Sequence, residues 1–252
     1  TKESNKWKIT AEEFEDAMSP RTKMIVLNTP GNPTGSVYSR EEIEGIVEVA
    51  SYEDIIILAD EIYEHLVYGE EKHVSVASVN EDAYNLTITV NGFSKSHSMT
   101  GWRIGYIGAP EWIAKACNKM QGQITSGANC IAQRATIAAV SAPNSQVQYM
   151  VDEFNNRRGL ILNLLSKIPG FKLNEPQGAF YVFPDVSSYF GKTIKGKTIE
   201  NANDFALFLL EEAHVATVTG DAFGNSDCIR ISYAASEEDI KTAVERIKNA
   251  LS

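Results

Sequence analysis

Three polar residues stand just beyond three apolar runs, and each could do chemistry. Asn32 lies in the turn-rich stretch Asn28-Thr29-Pro30-Gly31-Asn32-Pro33-Thr34-Gly35, after Met24-Ile25-Val26-Leu27. Asp60 closes Ile55-Ile56-Ile57-Leu58-Ala59, and Lys95 ends Gly92-Phe93-Ser94-Lys95, after the run 86–90. A lysine amine is a nucleophile once part of it is neutral near pH 7, a state that burial and neighbouring charge can produce. Arg103, eight residues beyond Lys95, offers a fixed cation. Arg230 lies in Cys228-Ile229-Arg230-Ile231-Ser232-Tyr233, whose alternation is that of a strand. A planar guanidinium there suits a carboxylate gripped by two parallel bonds. Taken singly, each residue has a plainer use. Lys95 and Arg103 would be loop cations, Asp60 a helix N-cap, Asn32 a turn residue and Arg230 an exposed strand residue.

The elements that must hold these residues follow from the same runs. Residues 24–27 and 55–59 are continuous apolar stretches, 86–90 is a third strand candidate and 104–107 a fourth. Between the first two, Ser39 and Glu42 have the spacing of a capping box, and Ile43, Ile46, Val47 and Ala50 recur at helical intervals. Continuous apolar strands separated by helices predict a parallel or mostly parallel sheet covered on both faces. In such sheets ligands bind beyond the carboxyl ends of the strands, where Asn32, Asp60 and Lys95 fall. Farther on, one helical stretch is expected over 113–140 and another over 147–165. Short strands at 180–183 and 229–233 and helices at 203–213 and 237–251 complete an α+β second part.

Composition narrows the functions. The formal net charge is −10, which disfavours nucleic acid and anionic membranes as partners. An anionic ligand must then be held by local donors, which is why the individual arginines matter. Cys117, Cys130 and Cys228 form no CxxC pair, and the four histidines show no metal-ligand spacing, so no metal site is expected. The odd count of separated thiols suits a reducing, cytoplasmic setting. No apolar run is long enough to span a bilayer. The chain opens on Thr1 in a polar stretch, as a trimmed or internally starting chain would.

The segment Gly92-Phe93-Ser94-Lys95-Ser96-His97-Ser98-Met99-Thr100-Gly101-Trp102-Arg103-Ile104-Gly105 resembles the cofactor-attachment signature of class I and II aminotransferases. Ala59-Asp60-Glu61-Ile62-Tyr63, Asn32-Pro33-Thr34-Gly35 and Gln177-Gly178-Ala179-Phe180-Tyr181 resemble further segments of that family, in family order. The chain as a whole is similar to the C-terminal two-thirds of the class I, aspartate aminotransferase-like branch. This resemblance implies an α/β fold of the fold-type I pyridoxal-phosphate transferases. A partial large cofactor-binding domain would span residues 1–145, and a small α+β domain residues 146–252. It implies that Lys95 is the catalytic residue and carries pyridoxal 5′-phosphate as a Schiff base. Asp60 would pair with the ring nitrogen and keep the ring cationic, so that it accepts carbanion electrons. Tyr63 would bond the phenolic oxygen, and Arg103 the phosphate. Asn32 would touch both that oxygen and the substrate carboxylate, which Arg230 would grip. Some relatives carry Ser where Gly92 stands, which would leave more of the phosphate to Arg103. A cis peptide before Pro33 is also implied.

The implied activity is transfer of an amino group between an L-amino acid and a 2-oxo acid, with Lys95 as acid and base, in a cytoplasmic homodimer. No second arginine stands out to read a distal carboxylate, so aspartate is only the family-level candidate. Two alternatives share these residues: a β-lyase of the same fold, and a fragment that folds without catalysing. The family's glycine-rich phosphate loop and its ring-stacking aromatic residue have no counterpart before Thr1, so a truncated chain is expected.

Overall fold

The apolar runs become strands. In a computed structural model, which describes residues 5–70 and 72–252, β1 (Met24–Asn28), β2 (Ile56–Asp60) and β3 (Thr87–Gly92) pair in parallel in that order. A fourth strand, β4 (Gly105–Gly108), joins β3 antiparallel, so the sheet is mostly parallel. Register pairs Asn28 with Asp60, and Asp60 with Val90. The neighbours of β3 are thus β2 and β4; β1, which precedes Asn32, is one strand farther away. Thr1–Ser4 of the polar opening stretch, and Glu71, lie outside the described residues.

The chain forms two compact units, residues 1–31 with 36–151 and residues 32–35 with 152–252. In the first unit α1 (Ala11–Ala17), α2 (Arg40–Tyr52) and α3 (Glu81–Leu86) accompany the sheet. Helix α2 starts where the capping box requires: Glu42 N–H donates to Ser39 Oγ at 3.3 Å, and Ser39 N–H to Glu42 Oε2 at 2.7 Å. Its Ile43, Ile46, Val47 and Ala50 are buried in one cluster with Leu27 of β1 and Ile57 and Ala59 of β2. Each large aliphatic side chain so buried contributes about 1.5–3 kcal/mol, which is what holds α2 to its partners.

One expectation is narrowed in this unit and one fails. Among the described residues β1 is covered on one face: Val26 is 65% exposed and Met24 42%, while Leu27 between strand and α2 is buried. A continuous apolar run reports that both faces can be buried, and the described residues bury β1 on one. The helix expected over 113–140 is two helices, α4 (Glu111–Ile124) and α5 (Cys130–Ser141). Ser126 adopts the left-handed conformation (φ 64°), and Asn129 caps α5 by accepting from Ile131 N–H and Ala132 N–H at 2.9 and 3.1 Å. That local capping chemistry outweighs the helical spacing across it.

Helix α6 (Ser145–Leu165) leads into the second unit, where β5 (Tyr181–Val182), β9 (Ile229–Ser232) and β8 (Val218–Thr219) form an antiparallel sheet. A separate hairpin joins β6 (Lys192–Ile194) to β7 (Lys197–Ile199). Helices α7 (Ala202–Ala213) and α8 (Glu237–Ala250) bury Phe205, Phe208, Leu209, Ile240 and Ile247 against Ile229 and Tyr233. Residues 32–35 are seated on this unit. The Gly35 carbonyl accepts from Gln177 N–H and Gly178 N–H, both at 2.8 Å, and the Thr34 carbonyl from Asn174 Nδ2 at 2.6 Å. The Asn32–Pro33 peptide is cis, as the resemblance implied, and so is Thr29–Pro30.

Gly35 has φ +69°, and a Cβ there would collide with the Pro176 side chain and stand 2.6 Å from the Gly178 carbonyl oxygen. Both the left-handed backbone and the close approach demand glycine. Gly35→Ala is expected to destabilise this unit by about 2–4 kcal/mol in a denaturant titration. An unchanged midpoint would mean that the tetrapeptide is not seated as described.

Candidate functional site

Strand β2 delivers Asp60 at its last position. The Asp60 backbone carbonyl accepts from Thr29 N–H and from Asn28 Nδ2, at 3.2 and 3.0 Å. Its side-chain Oδ1 accepts from Ile62 N–H at 3.3 Å. This is a local turn and not a helix cap, since the next α-helix, α3, begins at Glu81. Burial pushes the Asp60 carboxyl above its ordinary range; the Ile62 N–H pulls it back, and the neighbouring Glu61 charge raises it further. Among the described residues Asp60 makes no salt bridge.

The turn 60–64 also carries Tyr63, which is buried. Lys95 lies on the turn after β3, and its Nζ stands 5.8 Å from the centre of the Tyr63 ring. The loop around Lys95 is wrapped on itself: His97 N–H and Met99 N–H both donate to the Phe93 carbonyl at 3.2 Å, and Thr100 Oγ1 donates to the Ser94 carbonyl at 3.1 Å. Arg103 follows in the left-handed conformation (φ 52°) and donates from Nη1 to the Thr100 carbonyl at 3.0 Å. It is exposed, and with Trp102, Tyr106, Cys117, Gln121 and Ile131 it lines an open hollow of about 1310 Å³ bounded by β4, α4 and α5. Lys95, Asp60 and Tyr63 do not line that hollow. A Cβ on Gly92 would stand 3.0 Å from the Ile104 carbonyl oxygen, so the close β3–β4 pairing favours glycine there.

The second unit carries the remaining pair. Arg230, on β9, donates from Nη1 to Asn32 Oδ1 at 2.9 Å. Its guanidinium lies 4.6 Å from the Tyr181 ring centre and 5.0 Å from that of Phe223. Two aromatic rings thus fix a cation by cation–π attraction, while the Arg230 Nε–H, buried, has no hydrogen-bond partner.

Within the first unit, then, Lys95 meets Tyr63, with Asp60 on the strand next to Lys95's. Within the second, Arg230 meets Asn32. Arg103 stands apart on the hollow. One residue has no sequence signal: Phe223 lies in a short helical turn with no pattern to mark it. Glu61, by sequence a structural or solvated neighbour of Asp60, is buried, sharing the parity of Ile57, Ala59 and Tyr63.

A mostly parallel sheet that ends its strands in a carboxylate and an amine has the α/β form in which ligands lie beyond the strand termini. The chain belongs to the family described as aminotransferase class I and II, whose profile matches residues 1–247. A bifunctional aspartate aminotransferase and glutamate/aspartate-prephenate aminotransferase of Petunia hybrida is 46% identical over 94% of this chain and 50% of that protein. An aspartate aminotransferase of Geobacillus stearothermophilus is 45% identical over 97% of this chain and 61% of that protein. The crystal structure of the aspartate aminotransferase from Rhizobium meliloti superposes with a TM-score of 0.95 at 41% identity, covering 100% of this chain and 63% of that one. The chain therefore spans between half and two-thirds of these relatives. The family is one of pyridoxal 5′-phosphate enzymes. No described helix is long and apolar enough to cross a membrane.

Proposed function

We propose that the protein is a pyridoxal-phosphate-dependent aminotransferase that moves an amino group between an L-amino acid, aspartate among them, and a 2-oxo acid. The observation that carries this reading is Asp60: a half-buried carboxylate with no salt-bridge partner among the described residues, on the strand beside that of Lys95. Such a group fits a cationic ring nitrogen. By residue type the other donors suit the rest of the cofactor: Lys95 would take its aldehyde, Tyr63 and Asn32 would serve its ring oxygen, and Arg103, which stands apart on the hollow, would take its phosphate. When bound, pyridoxal phosphate supplies a carbonyl that captures the amine and a ring that takes up the electron pair left at Cα.

The work of the chain's own residues follows. Lys95 would hold the cofactor through Nζ and, when free, would move a proton between the substrate Cα and the adjoining carbon. Asp60 would keep the ring nitrogen protonated. Asn32 spends Oδ1 on Arg230, so a bond to the ring oxygen must come from its Nδ2. Arg230, held beside two aromatic rings, would offer its guanidinium to the substrate carboxylate. Arg230→Lys keeps the charge but loses the planar fork. The expected result is a KM for the amino acid raised about 10- to 100-fold, with kcat changed less. A KM left where it was would remove Arg230 from substrate binding.

The test of the function is product analysis on the full-length protein. Formation of a 2-oxo acid only when a second 2-oxo acid accepts the amino group supports the proposal. Pyruvate and ammonia from a substrate with a β-leaving group would instead mark a lyase, and neither product a chain that folds without catalysing. The proposal includes a homodimer in the cytoplasm. The exposed Val26, Trp112 and Ile124 of the first unit offer apolar surface for association.

A further inference from the structure

Glu61 follows Asp60 in the chain, and the mechanism above gives it no part. It is 1% exposed, deeper than any other carboxylate among the described residues. A carboxylate in that position is costly unless donors compensate it. Three do: Val76 N–H and Ser75 Oγ reach its Oε1 at 2.9 and 3.1 Å, and His73 Nε2 stands 3.2 Å from its Oε2. The Glu61 backbone is held too. Its N–H donates to the Val90 carbonyl on β3 at 2.9 Å, and its carbonyl accepts from Glu64 N–H at 2.9 Å. Three residues farther along the same turn, Glu64 Oε1 accepts from Asn91 Nδ2 of β3 at 2.8 Å. The turn that presents Asp60 and Tyr63 is therefore fastened to β3 by its backbone and to the segment 73–76 by one side chain.

We propose that Glu61 is a positioning residue. By anchoring residues 60–64 on Ser75, Val76 and His73 it holds Asp60 and Tyr63 in place, and its negative charge, one residue from Asp60, tunes the field in which the cofactor's ionisable groups work. The proposal rests on the cofactor reading given above. Glu61, Glu64 and His73 also bring their ligating atoms within 4.8 Å of one another. The three donors already on Glu61 make that cluster a hydrogen-bonded support. The titratable groups around Glu61 are Asp60, Glu64, His73 and Tyr106, whose hydroxyl also feels its charge.

Glu61→Gln removes the charge and keeps the shape and an acceptor oxygen. The full-length protein, loaded with pyridoxal phosphate, is compared with this variant, with Ser75→Ala and with Lys95→Ala. Three quantities are read: cofactor dissociation constant, the pH midpoint of the visible absorption band, and the melting temperature of the cofactor-free form. Glu61→Gln is expected to weaken cofactor binding about tenfold and to move the midpoint to lower pH, because a negative charge that favours the protonated linkage is gone. Ser75→Ala should weaken binding by less. A variant that melts earlier but keeps both the wild-type affinity and midpoint makes Glu61 merely structural and overturns the proposal. Should Glu61→Gln fail to fold, Ser75→Ala and His73→Asn carry the same two readings: weakened binding supports the proposal and wild-type binding overturns it. The underlying cofactor reading fails separately, by a band that is missing in the wild type or that persists in Lys95→Ala.

Discussion

Lys95→Ala is expected to abolish the visible absorption of the bound cofactor and to lower turnover by at least about 10⁴-fold. The size follows from two duties resting on one atom. Lys95 Nζ is both the attachment point and the carrier of the Cα proton, and general acid–base catalysis alone is worth up to about 10⁴-fold. Lys95→Arg sharpens the test. It keeps a cation near the Tyr63 ring, where Nζ now stands 5.8 Å from the centre. A guanidinium does not deprotonate in proteins and cannot act as the nucleophile. Loss of turnover in both variants identifies a nucleophile, whereas retention in Lys95→Arg would reduce Lys95 to a countercharge. Neither change should shift the melting temperature much, since Lys95 lies on a half-exposed turn.

Asp60→Asn is expected to cut turnover about 10²- to 10³-fold, the usual cost of removing one electrostatic partner from a reacting centre. The same change should stabilise the cofactor-free protein at neutral pH. Burial, the largest influence on Asp60, holds its carboxyl above the ordinary value of 3.8. An acid whose folded-state pKa is raised binds its proton more tightly when folded. It is neutral in both states in strong acid, and it subtracts stability once pH rises through the unfolded and then the folded value. Asparagine carries no such penalty. Melts of the cofactor-free proteins should coincide in acid and separate at neutral pH, with Asp60→Asn the more stable. A less stable variant at neutral pH, or one with full turnover, would contradict the role given to Asp60.

Much of this fold is readable before any coordinates. The runs at 24–27, 55–59 and 86–90 carry enough apolar and β-branched residues to declare buried strands, and Ser39 with Glu42 declares a helix start. The carboxyl-end placement of Asp60 and Lys95 follows from those strands. What escapes is chemistry of short range in short elements. The β6–β7 hairpin turns on Lys195 and Gly196, both at positive φ, and its strands are three residues each, too short for a periodicity to register. The break between α4 and α5 depends on one left-handed serine and one asparagine cap. Pairings across long separations escape as well. Arg230 and Asn32 are 198 positions apart, and nothing in either local sequence names the other. The aromatic clamp on Arg230 is hidden for the same reason, because Phe223 and Tyr181 converge only through the β5–β9–β8 sheet and its flanking turn. Glu61 reads from the sequence as a structural or solvated neighbour of Asp60; the inward parity of Ile57 and Ala59, continued just past the end of β2, is what marks it as buried.

Residues 32–35 fold with a unit whose other residues begin at 152. For anyone shuffling related genes, this fixes where a clean exchange can be made. A junction at codon 151 yields chimaeras in which the tetrapeptide comes from one parent and its seat at 174–178 from the other. Parents that both keep glycine at 35 and a compact residue at 176 can be interchanged there. Where they differ, the tetrapeptide must travel with the distant segment, as a second, four-codon crossover in the same design.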